Sequence, residues 1–184
     1  MKRKLPEVLT EEESIKLIEA CSTIRDRMMV KLMLFTGLRV SELLNIKFSD
    51  FDFKEAVITV RKGKGGKERL QPIPQVFLKE LKSFVDLSSN KEFPDAYVFT
   101  NNKGFRLSPQ AVWNIIKVAA FKAKIMKNIH PHTLRHTYAT RIYERYGDLK
   151  RVQTLLDHEQ LSTSSIYTHL STKKKKETVN EVFK

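Results

Sequence analysis

The chain is poor in the residues that would place it in several common classes. It has 184 residues and a single cysteine, Cys21, so no internal disulfide can form and no zinc site can be built on cysteine pairs. One cysteine also suits a reducing, intracellular compartment. Tryptophan is limited to Trp113, and no uninterrupted apolar run is long enough for a membrane-spanning helix. The N-terminus, Met1-Lys2-Arg3-Lys4-Leu5-Pro6, is basic, but no apolar segment of a secretory signal follows it. No basic amphipathic helix stands out for a membrane surface. Internal repeats and long low-complexity segments are missing too. Acidic residues are in deficit, with 21 Asp and Glu against 34 Lys and Arg, a formal net charge of +13. A compact domain with that surplus attracts polyanions, of which DNA and RNA are the commonest.

The hydrophobic fraction, 41%, suffices for one ordinary core. Thr10-Glu11-Glu12-Glu13 is a capping box, which predicts a helix from there to about Cys21. A helix carrying Ile24, Met28, Met29, Leu32, Leu34 and Phe35 is apolar on most sides and hence buried, and Gly37 stops it. Val40 to Ile46 reads as a short helix. Ala56 to Val60 and Glu68 to Ile73 read as two strands joined by the glycine-rich turn Lys62-Gly63-Lys64-Gly65-Gly66-Lys67, a β-hairpin with a basic tip. Helices are predicted again from Val76 to Leu87, from the Ser108-Pro109 start towards Lys124, and from His132 to Tyr146, ended by Gly147. Asp148 and Ser162 look like caps of further short helices, and Val179, Val182 and Phe183 fit a last one. The expected class is mainly α with a small antiparallel β-sheet, α+β.

Three segments carry the chemistry. Thr36-Gly37-Leu38-Arg39-Val40-Ser41-Glu42-Leu43 puts an arginine at a helix start. His132-Thr133-Leu134-Arg135-His136 places His132 and Arg135 three apart, on one helix face. Leu155-Leu156-Asp157-His158 is followed by Ser165-Ile166-Tyr167-Thr168-His169. Singly, each has an ordinary reading: a surface arginine, a solvated basic face, a half-buried tyrosine. Together, in this order and spacing, they resemble the tyrosine recombinases, or phage-integrase family, and most of all its Xer-type members. The likeness runs from about Leu9 to Leu170.

The resemblance implies a site-specific recombinase that cleaves and rejoins double-stranded DNA through a 3′-phosphotyrosine. Arg39 and Arg135 would clamp the non-bridging phosphate oxygens, and Tyr167 would be the nucleophile. His132 and His158 would complete the pocket, one of them accepting the tyrosine proton. Lys64 matches the lysine that protonates the departing 5′ oxygen, although Lys62 and Lys67 share its loop. Physical chemistry agrees: a tyrosine of ordinary pKa, about 10, needs a base and a cationic surround to become nucleophilic. Two arginines offset the added charge of the transition state in place of metal ions. No metal and no nucleotide cofactor are expected.

Lys62, Lys67, Arg69 and Arg141 are expected as DNA-backbone contacts without chemistry. Residues 1–172 are expected to form the catalytic domain and residues 173–184 a basic tail, opened by Lys173 to Lys176, that docks in cis or in trans. Strand exchange by this family implies a tetramer on two DNA sites, in the cytoplasm at the nucleoid and without membrane contact. The chain departs from the family in two respects. It is expected to start about where the catalytic domain starts, with the usual N-terminal helical domain absent from these residues, either as a fragment or as a compact natural form, and Asp157 stands where Xer-type members have glycine. Rival readings are a tyrosine-class topoisomerase, a DNA-binding regulator without activity, and a metal-dependent nuclease on His130, His132 and His136.

Overall fold

The structure is a computed structural model that describes residues 7–61 and 68–156. Helix α1 (Glu11–Glu19) begins at Thr10, whose hydroxyl accepts from the Glu13 N–H at 3.1 Å while the Glu13 carboxylate accepts from the Thr10 N–H at 2.8 Å. Helix α2 (Ile24–Thr36) is capped by the Thr23 side chain and ends at Gly37, which adopts a left-handed φ of 66°. Helix α3 (Val40–Leu44) follows at once. A single 3-10 turn (Phe48–Asp50) leads into β1 (Phe51–Asp52), β2 (Val57–Val60) and β3 (Arg69–Pro72). Helices α4 (Gln75–Asp86), α5 (Pro109–Lys122), α6 (Pro131–Tyr146) and α7 (Leu149–Leu156) complete the described chain.

Leu17, Leu32, Leu43, Ile58, Leu81, Phe99, Ile116 and Leu134 are wholly buried, so one core joins α1 to α6 with the sheet. Helix α2 lies within that core and is buried on most sides, as its all-round apolar pattern predicts. A smaller cluster of Tyr138, Ala139, Tyr143, Val152 and Leu156 fastens α7 to α6. Here the cap is Asp148, whose carboxylate accepts from the backbone N–H groups of Lys150 and Arg151.

The sheet is antiparallel in the order β1-β2-β3, with Val60 opposite Arg69 and Ile58 opposite Gln71. It differs from expectation in one strand. The edge strand β1, two residues long, pairs Phe51 with Ile58; it is too short to show an alternating pattern in sequence. Boundaries shift slightly elsewhere. Ala56 has a φ of 55°, so β2 starts one residue later than read, and Lys124, at 54°, leaves α5 ending at Lys122. Residues 62–67, with the predicted hairpin tip, and 157–184, with the Ser162 cap and the last helix, lie outside the described residues.

Candidate active site

The site grows out of the turn between α2 and α3. Gly37 accepts its left-handed backbone without strain, and it leaves no room for a side chain: a Cβ there would collide with the Tyr138 ring and stand 2.9 Å from Leu156 Cδ2. The close approach seats the turn on α6 and α7. Two residues on, Arg39 has extended backbone (φ −69°, ψ 152°) and precedes the first turn of α3. Its N–H donates to Glu42 Oε2 at 2.7 Å, the N3 half of a capping box.

Arg135 comes from the second turn of α6 and is 5% exposed. A guanidinium that deep needs partners on several sides. It donates to the carbonyl of Gly37 and, at 2.7 Å, to that of Leu156. Its Nη1 lies 3.9 Å from Glu42 Oε2. Arg135 thereby ties the Arg39 turn and the end of α7 to one helix, across 98 and 21 residues of sequence.

Glu42 is the centre of this cluster. Its carboxylate is buried and accepts from Arg39 Nη1 at 2.8 Å and from Arg69 Nη1 and Nη2 at 3.0 and 3.2 Å. Burial alone would raise its pKa, but the hydrogen bond from Arg69, the Arg39 N–H and the two guanidinium charges outweigh it and hold the carboxyl below the usual range. Among the described residues, three arginines around one carboxylate give this cluster a formal net charge of +2.

His132, three residues before Arg135, is exposed at the N-terminus of α6. The half-buried His130 stands before it, ring centroids 6.2 Å apart. Burial, then the charges of His132 and Lys117, hold His130 below the ordinary imidazole range. The pair sits where helix N–H groups point outwards and favour an anion.

Arg39, Arg135 and His132 are thus placed on two adjoining helix starts. Arg69, expected as a DNA-backbone contact, directs both terminal nitrogens at Glu42, and its side chain is 13% exposed. Arg141 lies elsewhere. It donates to Ser14 Oγ at 2.7 Å and to the Thr10 carbonyl at 3.4 Å. It lines a cavity of about 530 Å³ with Val8, Lys127, Thr140 and Glu144, none of which belongs to the arginine cluster. Lys62, Lys64, Lys67, His158 and Tyr167 lie outside the described residues.

Sequence reading gave no role to Glu42, Gln71 or Tyr138. The signal for Glu42 was present, three residues after Arg39 at capping-box spacing. Gln71 is buried on β3, and its side chain bears on the Tyr138 hydroxyl, although its Nε2 makes no hydrogen bond of good geometry among the described residues. Burial raises the pKa of Tyr138, and Gln71 partly offsets that.

Residues 7–174 match the phage integrase family. The chain is 46% identical to the tyrosine recombinase XerA of Pyrococcus furiosus over 96% of its own length and 62% of the relative's. It is 38% identical to the tyrosine recombinase XerD of Staphylococcus saprophyticus, over 97% and 63%. The chain therefore spans about three-fifths of the length of these curated relatives. The crystal structure of XerA recombinase superposes with a TM-score of 0.80 at 35% identity, covering 97% of this chain and 65% of that one. The XerH site-specific recombinase bound to palindromic difH substrate, a post-cleavage complex, gives 0.77 at 29%, covering 98% and 54%. Among the described residues no helix is long and apolar enough to cross a membrane. With the family's three signature segments in order, the arginines of two of them gathered on one carboxylate, and a match over residues 7–174, the chain belongs to the phage integrase family.

Proposed function

We propose that this chain is the strand-cleaving part of a site-specific DNA recombinase. The observation that carries the reading is the convergence of Arg39 and Arg135, 96 residues apart, on Glu42. Arg135 is deep and held from behind by two carbonyls, and Arg39, 35% exposed, stands nearer the surface. A phosphate bridging them would meet planar donors that never lose their charge.

In the reaction, the Tyr167 oxygen attacks the scissile phosphorus while its proton passes to His132 or His158. The P–O5′ bond breaks, Lys64 protonates the departing oxygen, and the DNA is left joined as a 3′-phosphotyrosine. A 5′ hydroxyl from a second strand then attacks that phosphorus and expels the phenolate, which recovers a proton. Arg39 and Arg135 neutralise the extra charge at phosphorus in both steps, the work that metal ions do in two-metal nucleases. The arrangement supports a role for the carbonyl of Leu156 as well: it accepts from Arg135 and lies two residues before His158 in the chain. Strand exchange would use four copies on two DNA sites in the cytoplasm, and the free protein would be a monomer.

Covalent capture tests this. Duplexes with a nick beside the scissile position, selected from a randomised pool for binding, are mixed with the chain in EDTA. A denaturation-resistant adduct that disappears in Tyr167→Phe is the expected result. Binding without adduct on any selected duplex, even when an N-terminal clamp domain is supplied, replaces the enzyme with a DNA-binding regulator. Loss of cleavage in EDTA points to the metal-dependent nuclease, and relaxation of plasmid without a site to a topoisomerase.

A further inference from the structure

Strand β3 is built inside out. Its alternation turns Arg69 and Gln71 inward, with Gln71 1% exposed, and Leu70 outward, 65% exposed. Buried polar residues where apolar ones would stabilise more are the informative case. The reason is visible at Glu42. A carboxylate has about four lone-pair sites. Arg39 fills two of them, through Nη1 and its backbone N–H, and Arg69 fills the other two. Arg135 is left at 3.9 Å, too far for a hydrogen bond to that oxygen.

We propose that Arg69 is a positioning residue: by filling the lone-pair sites of Glu42 that Arg39 leaves, it keeps Arg135 from closing on the carboxylate, and so leaves Arg135 set for a phosphate. The proposal rests on the recombinase reading above. Without Arg69, two lone-pair sites of Glu42 become vacant in a region of low dielectric, and the neighbouring guanidinium groups are the donors within reach. Arg135 has only about an ångström to move to form a hydrogen bond. Lysine cannot replace arginine here, because one ammonium point charge does not span both carboxylate oxygens.

The test uses the full chain, the nicked duplex that captures the wild type, and two variants, Arg69→Gln and Arg69→Lys. Both rates are read at saturating DNA, beside affinity over a salt series. A misplaced clamp lowers the saturated rate at least about tenfold in both variants and leaves the salt dependence of binding unchanged. A plain backbone contact does the reverse: affinity falls, the slope of log affinity against log salt shrinks by about one for the Gln variant, and the saturated rate holds. That second pattern overturns the proposal. So does a Lys variant that cleaves at the wild-type rate, and so does a chain that melts out with either substitution, which would make Arg69 structural alone. A wild type that forms no adduct overturns the recombinase reading itself, and the positioning role with it.

Discussion

Both terminal nitrogens of Arg69 reach across from β3 to the two oxygens of Glu42, at 3.0 and 3.2 Å. That fork, and the Arg39 contact at 2.8 Å beside it, makes one buried carboxylate the anchor of the arginines around the site.

Replacement of Glu42 by glutamine therefore removes the carboxylate that offsets them among the described residues. Breaking a buried ion pair by deleting one partner typically costs about 3–5 kcal/mol. Glu42→Gln should lose stability at the lower end, about 3 kcal/mol, because the amide oxygen still accepts hydrogen bonds. Urea denaturation at neutral pH measures this; a loss below about 1 kcal/mol would mean that the arginines find equivalent partners in water.

Acid should lower the stability of the chain in two ranges of pH. His130 and Glu42 both have pKa values lowered on folding. In each case the folded state favours the deprotonated form, so the stability contribution is present above the unfolded pKa and lost as pH falls through the folded one. The first decline begins below about 6.5 and belongs to His130; the second begins below about 4.3 and is shared by Glu42 with Glu13, Asp86 and Asp95, which are lowered as well. Denaturant unfolding at pH 7, 5.5 and 4 should show both, and His130→Gln should flatten the first alone.

Gly37→Ala combines a left-handed φ of 66° with a clash against Tyr138 and Leu156, and should cost about 3 kcal/mol, the sum of backbone strain and overpacking. Gly104→Ala is the control. Its φ is 79°, yet nothing lies within 4 Å of the added Cβ, so about 1 kcal/mol of backbone strain is expected. Equal losses in the two variants, by thermal melting, would show that Tyr138 yields freely.

Cys21 is buried, donates to the Leu17 carbonyl at 3.3 Å, and has its thiol pushed up to about 11 by burial and then by Asp26. At pH 8 only about one thiol in a thousand is ionised, so a maleimide or iodoacetamide should label the folded chain at least about 100-fold more slowly than the urea-unfolded one. Rapid labelling of the native chain would contradict that burial.

Arg141→Ala should leave DNA affinity and its salt dependence unchanged while lowering stability by about 1 kcal/mol, the worth of the bonds to Ser14 and Thr10. An affinity loss without a change in melting temperature would place Arg141 on the DNA surface.

Much of this was written locally in the chain. Caps at Thr10, Ser108 and Asp148, the stops at Gly37 and Gly147, and the apolar α2 depend on residues within a turn or two of each other, so sequence alone determined them. The three signature segments likewise determined the family, because the motifs are contiguous. Side-chain destinations were not local. Arg69 and Arg141 are indistinguishable from solvated cations on paper; tertiary structure decided that one meets a carboxylate 27 residues away and the other a hydroxyl 127 away. A long, flexible cation goes to whichever buried acceptor the packing brings within reach, and only the assembled core brings Glu42 and Ser14 there.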